Sequence, residues 1–329
     1  MPLSVLYLGG TGVISSACVR ASLAIGHEVH VLRRGTAGSR ALPAGVIEHR
    51  GDVRDEESVR RALGGRAFDV VADFIAFAPT HVTTALDLFG ADAGQYVFIS
   101  SASAYQKPAA ILPIRESTPL RNPFFPYSRD KIACEDVLVR EYRASGAPVT
   151  IVRPSYTYDE TLFPMDSGWT VVERMREGRP ILLPDGGRPL CTLTHADDFA
   201  ATFVRLLGDS RTHGESFHIT GEEAISWRQA FDAVAIAAGA VADYVSVPSE
   251  EIAVVDGGWG EILLGDRAHS SIFDNSKVRS LVPQHAATVA FAEGARRIVD
   301  WHDRTPSAQV RDIDRERLMD ELIARRLGG

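Results

Sequence analysis

A tyrosine and a lysine stand four residues apart in "YSRDK" at positions 127–131, at the start of an amphipathic stretch. Four residues are about one helical turn, so Tyr127 and Lys131 are expected to project from the same face of a helix. A phenol beside an ammonium group is either an ordinary surface pair or an acid–base device. Other hydroxyls lie upstream in the serine-rich segment "SSASAY", where Ser101 precedes Tyr127 by 26 residues.

A second group of residues with chemical potential is the glycine turn "LGGTGVIS", which follows the first apolar run and opens a helical pattern. Glycines in this context let the backbone approach a pyrophosphate, whose charge is met by amides at the helix N-terminus. By itself the turn is also compatible with an ordinary tight loop. Ser15 stands where a third glycine is usual, and its Cβ predicts slightly looser packing. The candidate cofactor-binding residues are Gly9, Gly10, Thr11, Gly12, Val13 and Ile14.

Two arginines end the second apolar run, "HEVHVLRR", where an NAD-binding protein carries an acidic residue. A carboxylate repels a 2′-phosphate, whereas the guanidinium groups of Arg33 and Arg34 can bind it bidentately. The sequence therefore predicts NADP(H) in preference to NAD(H), the alternative being two solvated arginines at a strand end. Asp52 and Val53 follow the third run and are expected at the adenine edge, or simply as a turn residue and a core residue.

The elements that must position these groups follow from the hydrophobic pattern. Short apolar runs alternate with helical stretches, which predicts a parallel sheet covered by helices on both faces, a Rossmann-type doubly wound α/β fold. The predicted dinucleotide-binding domain is 1–155 plus about 190–221. Residues from about 156–189 plus 222–329 are predicted to form a smaller, interleaved substrate lobe. Its first part is expected to be irregular around one helix, and its second part to consist of helices and Gly-rich loops.

Bulk properties exclude several classes of protein. A net charge of −8 over 329 residues disfavours a nucleic-acid surface. Cys18, Cys134 and Cys191 are scattered and form no CxxC pair, which predicts neither a disulfide framework nor a metal site. No apolar run approaches the roughly 20 residues of a membrane span, and the N-terminus lacks a basic signal-peptide region. The expected location is cytoplasmic.

The ordered set "GGTGVIS", "SSASAY", "YSRDK", "VRPSYTY", "THADDFA" and "FDNSK" resembles the extended short-chain dehydrogenases/reductases over most of the chain. That family includes nucleotide-sugar epimerases, dehydratases and reductases. The resemblance implies that Tyr127 is the general acid/base and that Lys131 lowers its pKa and holds the nicotinamide ribose. It implies that Ser101 binds the reacting oxygen, with Ser103 and Ser100 as fallbacks.

Other motifs imply further roles. In "VRPSYTY", Pro154 and Ser155 match residues that line the nicotinamide. In "THADDFA", His195 matches a structural residue at a helix start rather than a metal ligand or catalytic base. Many sugar-nucleotide epimerases carry an arginine near the place of Cys191, and Arg188 lies slightly earlier. The candidate substrate-binding residues are therefore Ser101, Ser103, Tyr127 and Arg188.

Three functions are compatible with this set. An epimerase acting on a sugar or nucleotide-sugar carbinol through a keto intermediate is favoured. An NADPH-dependent ketoreductase of a sugar or specialised metabolite is the alternative, supported by Arg33 and Arg34. A non-catalytic cofactor- or RNA-binding relative is disfavoured by the Ser/Tyr/Lys set and the acidic charge. A 4,6-dehydratase is disfavoured because Ser101 is followed by Ala-Ser-Ala rather than Asp-Glu.

A homodimer is possible through the helix "THVTTALDLFG" and the helix that contains Tyr127, as in relatives. An apolar face buried within one chain explains these helices equally well. The predicted partner is a small molecule, with neither nucleic acid nor membrane.

Overall fold

The computed structural model describes residues 1–35, 40–90 and 92–328. The strands in chain order are β1 (Ser4–Leu8), β2 (Glu28–Arg33), β3 (Ile47–Arg50), β4 (Val70–Asp73), β5 (Tyr96–Ile99), β6 (Val149–Pro154), β7 (Tyr156–Tyr158), β8 (Ile181–Pro184), β9 (Leu190–Cys191), β10 (Leu193–His195), β11 (Ser216–Ile219), β12 (Ile225–Ser226) and β13 (Tyr244–Val247). The α-helices are α1 (Val13–Ala24), α2 (Glu56–Leu63), α3 (Pro79–Phe89), α4 (Pro126–Ser145), α5 (Thr170–Arg176), α6 (Ala196–Phe203), α7 (Trp227–Ala237), α8 (Ser249–Val255), α9 (Gly257–Ile262), α10 (Ser276–Leu281), α11 (Phe291–Arg304) and α12 (Ile313–Gly328).

Within the described residues, seven parallel strands form the central sheet in the order β11-β6-β5-β4-β1-β2-β3. Leu8 of β1 stands in register with Leu32 of β2 on one side and with Asp73 of β4 on the other. The strand order reverses at β1, so the carboxyl ends of β1 and β4 flank the topological switch point where such sheets bind ligands. The predicted Rossmann-type fold is confirmed.

Helices cover both faces of this sheet, which explains why its strands are continuous apolar runs. On one face α1 and α6 pack on the sheet through residues such as Ala17 and Phe199. On the other face α2, α3 and α4 contribute Val59, Val82 and Leu138. The sheet is therefore rigid and buried, and its carboxyl edge can present side chains in fixed positions.

The remainder of the chain forms short sheets that the sequence did not predict. Parallel pairs form between β7 and β10 and between β8 and β13, and β9 pairs antiparallel with β12. The prediction of irregular structure in 156–189 and of helices and loops after 222 was wrong at β7, β8, β12 and β13, because runs of two to four residues show no period. The proposed division into two domains stays a prediction. β7 belongs to the predicted substrate lobe and β10 to the predicted dinucleotide-binding domain, so their pairing joins the two.

The three cysteines are buried and unpaired. Burial raises the pKa of the Cys134 thiol to about 11. Across the parts of the chain that the structure describes, none of the helices has both the length and the apolar character that a membrane crossing requires. The same residues contain no group of three His, Cys, Asp or Glu side chains arranged to hold a metal ion.

Candidate active site

The Tyr127–Lys131 pair lies at the start of α4, which begins with Pro126 at its first position. Lys131 is 1% exposed. Its Nζ donates hydrogen bonds to the carbonyl oxygens of Ala76 and Ile99, both at 2.7 Å. The two residues lie one turn apart, as their spacing predicts, but the ammonium group is directed at backbone carbonyls.

The serine-rich segment follows β5 and brings its hydroxyls to the same place. Ser101 caps a short 3₁₀ turn, and its Oγ lies 2.8 Å from the Oγ of Ser103. Ser128, the residue after Tyr127, donates its hydroxyl to Ser103 at 2.7 Å. Ser100 is directed elsewhere, since its hydroxyl donates to the carboxylate of Glu135. The geometry therefore favours Ser101 and Ser103 over Ser100 as substrate-binding hydroxyls.

Burial raises the pKa of the Tyr127 phenol above its ordinary value, and interaction with the Ser101 hydroxyl works in the opposite direction. Lys131 Nζ lies 5.7 Å from the centroid of the Tyr127 ring and donates to backbone carbonyl oxygens. Its effect on the pKa of Tyr127 stays a prediction. Burial also lowers the pKa of Lys131 to about 8.

A cleft of ≈ 340 Å³ opens at the carboxyl ends of β1, β2 and β4. Arg54 and Phe77, which were not predicted, lie on its wall. Phe77 also packs beside Lys131, whose Nζ lies 4.7 Å from the ring centroid, so the cleft reaches the Tyr127–Lys131 pair. Six of the predicted cofactor-binding residues line this cleft: Gly9, Thr11, Arg33, Arg34, Asp52 and Val53.

The glycine turn has the shape that a dinucleotide requires. Gly10 adopts a φ of +90°, and a Cβ on it would lie 2.8 Å from Val31 Cγ1. Gly12 caps α1, whose first turn begins with Val13 and Ile14. Ser15 is buried, and its Oγ accepts a hydrogen bond from the Gly12 amide at 2.9 Å. The serine thus closes the turn, a role that the expectation of looser packing did not include.

The wall of the cleft beside β2 is basic. Arg33 donates to the Glu48 carboxylate at 3.0 Å and to the carbonyl oxygen of Arg40 at 3.3 Å, so its side chain is held in place. Arg34 is exposed at the rim. Three arginines line the cleft, Arg33, Arg34 and Arg54, against the carboxylate of Asp52 on its wall and that of Glu48 paired with Arg33. This surplus of positive charge suits a phosphate-bearing ligand.

A buried ion pair fixes α4 to the sheet. Glu135 of α4 accepts hydrogen bonds from Arg153 of β6, with the Arg153 Nε at 2.9 Å. The two side chains are 2% and 5% exposed. Arg153 also donates to the Tyr105 hydroxyl at 3.1 Å. These contacts join α4, the helix that carries Tyr127, to β6 of the central sheet.

The remaining predicted residues keep their roles as predictions, and their positions are as follows. Pro154 ends β6, and the Ser155 hydroxyl pairs with the Thr194 hydroxyl at 2.6 Å. Arg188 is exposed, and no contact seen within the described ranges joins it to Ser101 or Tyr127. His195 caps α6 by accepting the Asp197 amide at 3.2 Å, which confirms the structural reading of "THADDFA".

A family model described as "NAD dependent epimerase/dehydratase family" matches residues 5–220. The match covers more than half of the sequence, including the glycine turn, Ser101 and the Tyr127–Lys131 pair. The chain belongs to this family.

Three curated proteins that are similar to this chain have names with different functions: a binding protein, a reductase and an epimerase. It is 29% identical to the chloroplast stem-loop binding protein of 41 kDa b of Arabidopsis thaliana, over 71% of this chain and 63% of that protein. It is also 29% identical to the 2'-dehydrokanamycin reductase of Streptomyces kanamyceticus, over 75% and 70%. It is 34% identical to the UDP-glucose 4-epimerase of Streptomyces lividans, over 43% and 48%. The matched region thus spans less than two thirds of the length of the first and third of these relatives.

Solved structures agree on the fold. The UDP-glucose 4-epimerase of Thermus thermophilus, solved as a complex with NAD, superposes with a TM-score of 0.70. It shares 25% identity over 90% of this chain and 97% of its own. The epimerase Mth375 of Methanothermobacter thermautotrophicus superposes with a TM-score of 0.76 at 16% identity, over 94% of both chains.

The sequence analysis did not predict three polar residues in and around the segment between the serines and Tyr127: Lys107, Asn122 and Asp266. Asn122, which is 2% exposed, donates to the carbonyl oxygens of Ser103 and Gly265 at 2.9 and 2.6 Å. Lys107 pairs with Asp266 at 2.7 Å. Asn122 and Lys107 each have a partner more than 140 residues away in the chain, so no local pattern reveals them. The one usable signal was the presence of a lysine and an asparagine in the segment between the serines and Tyr127.

Proposed function

We propose that the protein transfers hydride between NADP(H) and a secondary alcohol or ketone of a sugar or sugar-derived metabolite, and that it works chiefly as a ketone reductase. The observation that carries this proposal is a cleft lined by Arg33 and Arg34 at the carboxyl ends of the strands, with Tyr127 and Ser101 together beside it. A protonated phenol is the form that a ketone reductase needs, because the carbonyl oxygen must receive a proton.

The residues divide the work between binding and proton transfer. The cradle around Gly10 and the amides of the first turn of α1 fit a pyrophosphate, and Arg33 and Arg34 fit a 2′-phosphate. A bound nicotinamide supplies the hydride. Ser101 donates a hydrogen bond to the substrate carbonyl oxygen, and Tyr127 gives the same oxygen its proton. Lys131 orders the floor of the site by bonding the backbone carbonyls of Ala76 and Ile99.

An epimerase, the function favoured by the sequence, is the second candidate. Its support is the family match and the relatives named UDP-glucose 4-epimerase. In this mode Tyr127 acts first as a base that removes the proton of the carbinol, and then returns a proton after the ketone has rotated. Reduction is placed ahead of it because Arg33 and Arg34 on the cleft fit the 2′-phosphate of NADP(H), the cofactor that cells generally use for net reduction.

Two narrower expectations also remain proposals. A cytoplasmic location suits a protein that uses NADP(H). A homodimer through α3 and α4 stays a prediction, because the buried faces of these helices, including Val82 and Leu138, already pack within one chain.

The experiment is to denature the purified protein, identify any released nucleotide and assay NADPH and NADH with a panel of sugars. The panel contains UDP-glucose, UDP-galactose and 2′-dehydrokanamycin. Oxidation of added NADPH on a sugar ketone supports the reductase. Interconversion of the UDP-sugars with a retained nucleotide and no net change in nicotinamide absorbance supports the epimerase instead. Failure to bind either nucleotide would overturn both functions.

A further inference from the structure

Two arginines and a glutamate lie on one face of the strands that end beside the cleft. Among the described residues, β3 is the outermost strand on its side of the central sheet, and it pairs in parallel with β2. Arg33 stands in register with Arg50, and Glu48 lies two residues before Arg50. Because residues in register and residues two apart on a strand share a face of the sheet, the three charged side chains are neighbours.

The Glu48 carboxylate is shared between the two arginines. Its Oε1 accepts a hydrogen bond from Arg33 Nε at 3.0 Å and lies 3.2 Å from Arg50 Nε. The Glu48 side chain is 30% exposed, and that of Arg33 is 16% exposed. Hydrogen bonding from Arg33 lowers the pKa of Glu48 below its ordinary value, so the carboxylate is ionised at neutral pH.

Both arginines border the cleft. Arg33 and Gly35 are part of its wall. The Arg50 guanidinium lies against Gly35, since a Cβ built on that glycine would be 3.4 Å from Arg50 Nη1. The Arg50 side chain is 71% exposed, so its guanidinium is open to solvent. Glu48 is therefore bonded to two cations at the border of the place where the cofactor's phosphate is expected.

An anion that binds to these arginines competes with the carboxylate. Arg33 already donates to Glu48 and to the carbonyl oxygen of Arg40, which leaves fewer of its N–H groups for a phosphate. The negative carboxylate also repels phosphate oxygens bound to the same guanidinium. The 2′-phosphate of NADP(H) meets both penalties, whereas NAD(H) carries an uncharged hydroxyl at that position. Glu48 therefore acts unequally on the two cofactors.

We propose that Glu48 is a specificity-determining residue, a resident anion that weakens the binding of the 2′-phosphate by Arg33 and Arg50 and brings the affinities for NADP(H) and NAD(H) closer together. The proposal rests on the proposed function and deepens it, because it names a residue that sets the cofactor preference of the cleft. The preference then follows from a balance of charges rather than from a shape that admits one cofactor only.

The competing explanation is that Glu48 only orients Arg33 or braces β3 against β2. The roles differ in the sign of one effect. If Glu48 orients Arg33 for the phosphate, loss of its charge releases the guanidinium and weakens the binding of NADPH. If Glu48 is a brace, its loss lowers stability and affects both nucleotides alike. If Glu48 opposes the phosphate, loss of its charge strengthens the binding of NADPH and leaves that of NADH nearly unchanged.

The test is Glu48→Gln in the full-length protein, a change that keeps the length of the side chain and an oxygen acceptor for Arg33. Calorimetric titration gives the dissociation constants of NADPH and NADH, and of adenosine 2′,5′-bisphosphate and 5′-AMP as fragments without nicotinamide. We expect NADPH and the bisphosphate to bind about 3- to 20-fold more tightly, with NADH and 5′-AMP nearly unchanged. The gain should shrink between about 0.01 M and 1 M salt, because the Debye length falls from roughly 30 to 3 Å.

Glu321→Gln is the control, because this glutamate is 49% exposed and pairs with Arg325 on α12. Urea unfolding midpoints are measured for each variant. A selective gain for NADPH in Glu48→Gln, with the control unchanged, supports the specificity role. An unchanged ratio of the two affinities, or weaker binding of NADPH, overturns that role and leaves the proposed function standing. A wild type that binds neither nucleotide overturns both.

Discussion

Tyr127 and Lys131 share a helix face but have different partners, so the two side chains are expected to have different roles in the proposed reaction. Lys131 is bonded to Ala76 and Ile99, whereas Tyr127 interacts with Ser101. Burial raises the pKa of Tyr127, which favours its protonated form at neutral pH, while Lys131 bonds the two backbone carbonyls. In the proposed reduction, the Tyr127 phenol and the Ser101 hydroxyl would both bond the carbonyl oxygen of the substrate.

Replacing Tyr127 by Phe removes the acid while keeping the ring. We expect kcat to fall by about 10²- to 10⁴-fold, the usual contribution of a general acid, with NADPH affinity nearly unchanged. Steady-state kinetics and nucleotide titration measure the two effects. Tyr142→Phe is the matched control, since that tyrosine lies on the same helix and is 39% exposed. A Tyr127→Phe variant with wild-type turnover would remove the acid/base role.

The pH profile gives a second prediction. Because burial raises the pKa of Tyr127, little phenolate exists at neutral pH, and only the phenolate can accept a proton from an alcohol. Oxidation of the alcohol product by NADP⁺ should therefore speed up with rising pH and continue to do so beyond about pH 9, given an ordinary phenol pKa of ~10. The measurement is kcat/KM for oxidation against pH. A plateau already reached near neutrality would mean that the phenol ionises easily after all.

At the scale of elements, the glycine turn and β1 act as one unit. Gly10 must adopt a left-handed φ of +90°, and its missing side chain leaves room for Val31 of β2. This close approach lets the backbone of the turn lie flat at the end of the strand, where α1 begins. The shape of the turn thus depends on its contact with β2 as well as on its own residues.

Gly10→Ala tests that dependence. The new Cβ would meet Val31 Cγ1 at 2.8 Å in a strained backbone conformation, so we expect about 2–4 kcal/mol of lost stability. NADPH affinity should fall as well. Gly178→Ala is the control, because Gly178 has a φ of +67° but no atom within 4 Å of the added Cβ. Urea unfolding and nucleotide titration compare the two. Equal losses of stability would show that backbone strain alone matters.

The elements differ in how well the sequence predicted them, for physical reasons. Strands such as β4 and β5 are buried on both faces, so their apolar runs stand out against polar helices. The two-residue strands β9 and β12 are held by contacts with the rest of the lobe and have no pattern of their own. The site divides in the same way. Tyr127 and Lys131 are linked by one helical turn, whereas Asn122 meets Gly265 across 143 residues.

At the scale of the whole molecule, polar contacts between residues distant in the chain join α4 and the serine segment to the rest of the fold. Glu135 and Arg153 join α4 to β6 in the interior. Asn122 joins the serine segment to the π-helical turn Leu263–Arg267 of the lobe. The site is therefore assembled from parts that are distant in the chain, and its geometry depends on the complete fold.

Arg153→Met tests the first of these links. The change leaves the Glu135 carboxylate buried and unpaired, which should cost about 3–5 kcal/mol of unfolding free energy. Arg60→Met is the control, because the Arg60–Glu56 pair is 69% and 59% exposed and should contribute no more than ~0.5 kcal/mol. Both values come from urea unfolding. A loss of less than about 1 kcal/mol in Arg153→Met would show that water or other residues replace the pair.

The buried cysteines have a practical consequence. Cys134 lies one turn beyond Lys131 with its side chain in the core, and its raised pKa keeps the sulfur in the unreactive thiol form. An alkylating reagent can reach it only during moments when α4 lifts from the sheet. The rate at which Cys134 is alkylated would thus report how often α4 opens away from the sheet, with no label engineered into the protein.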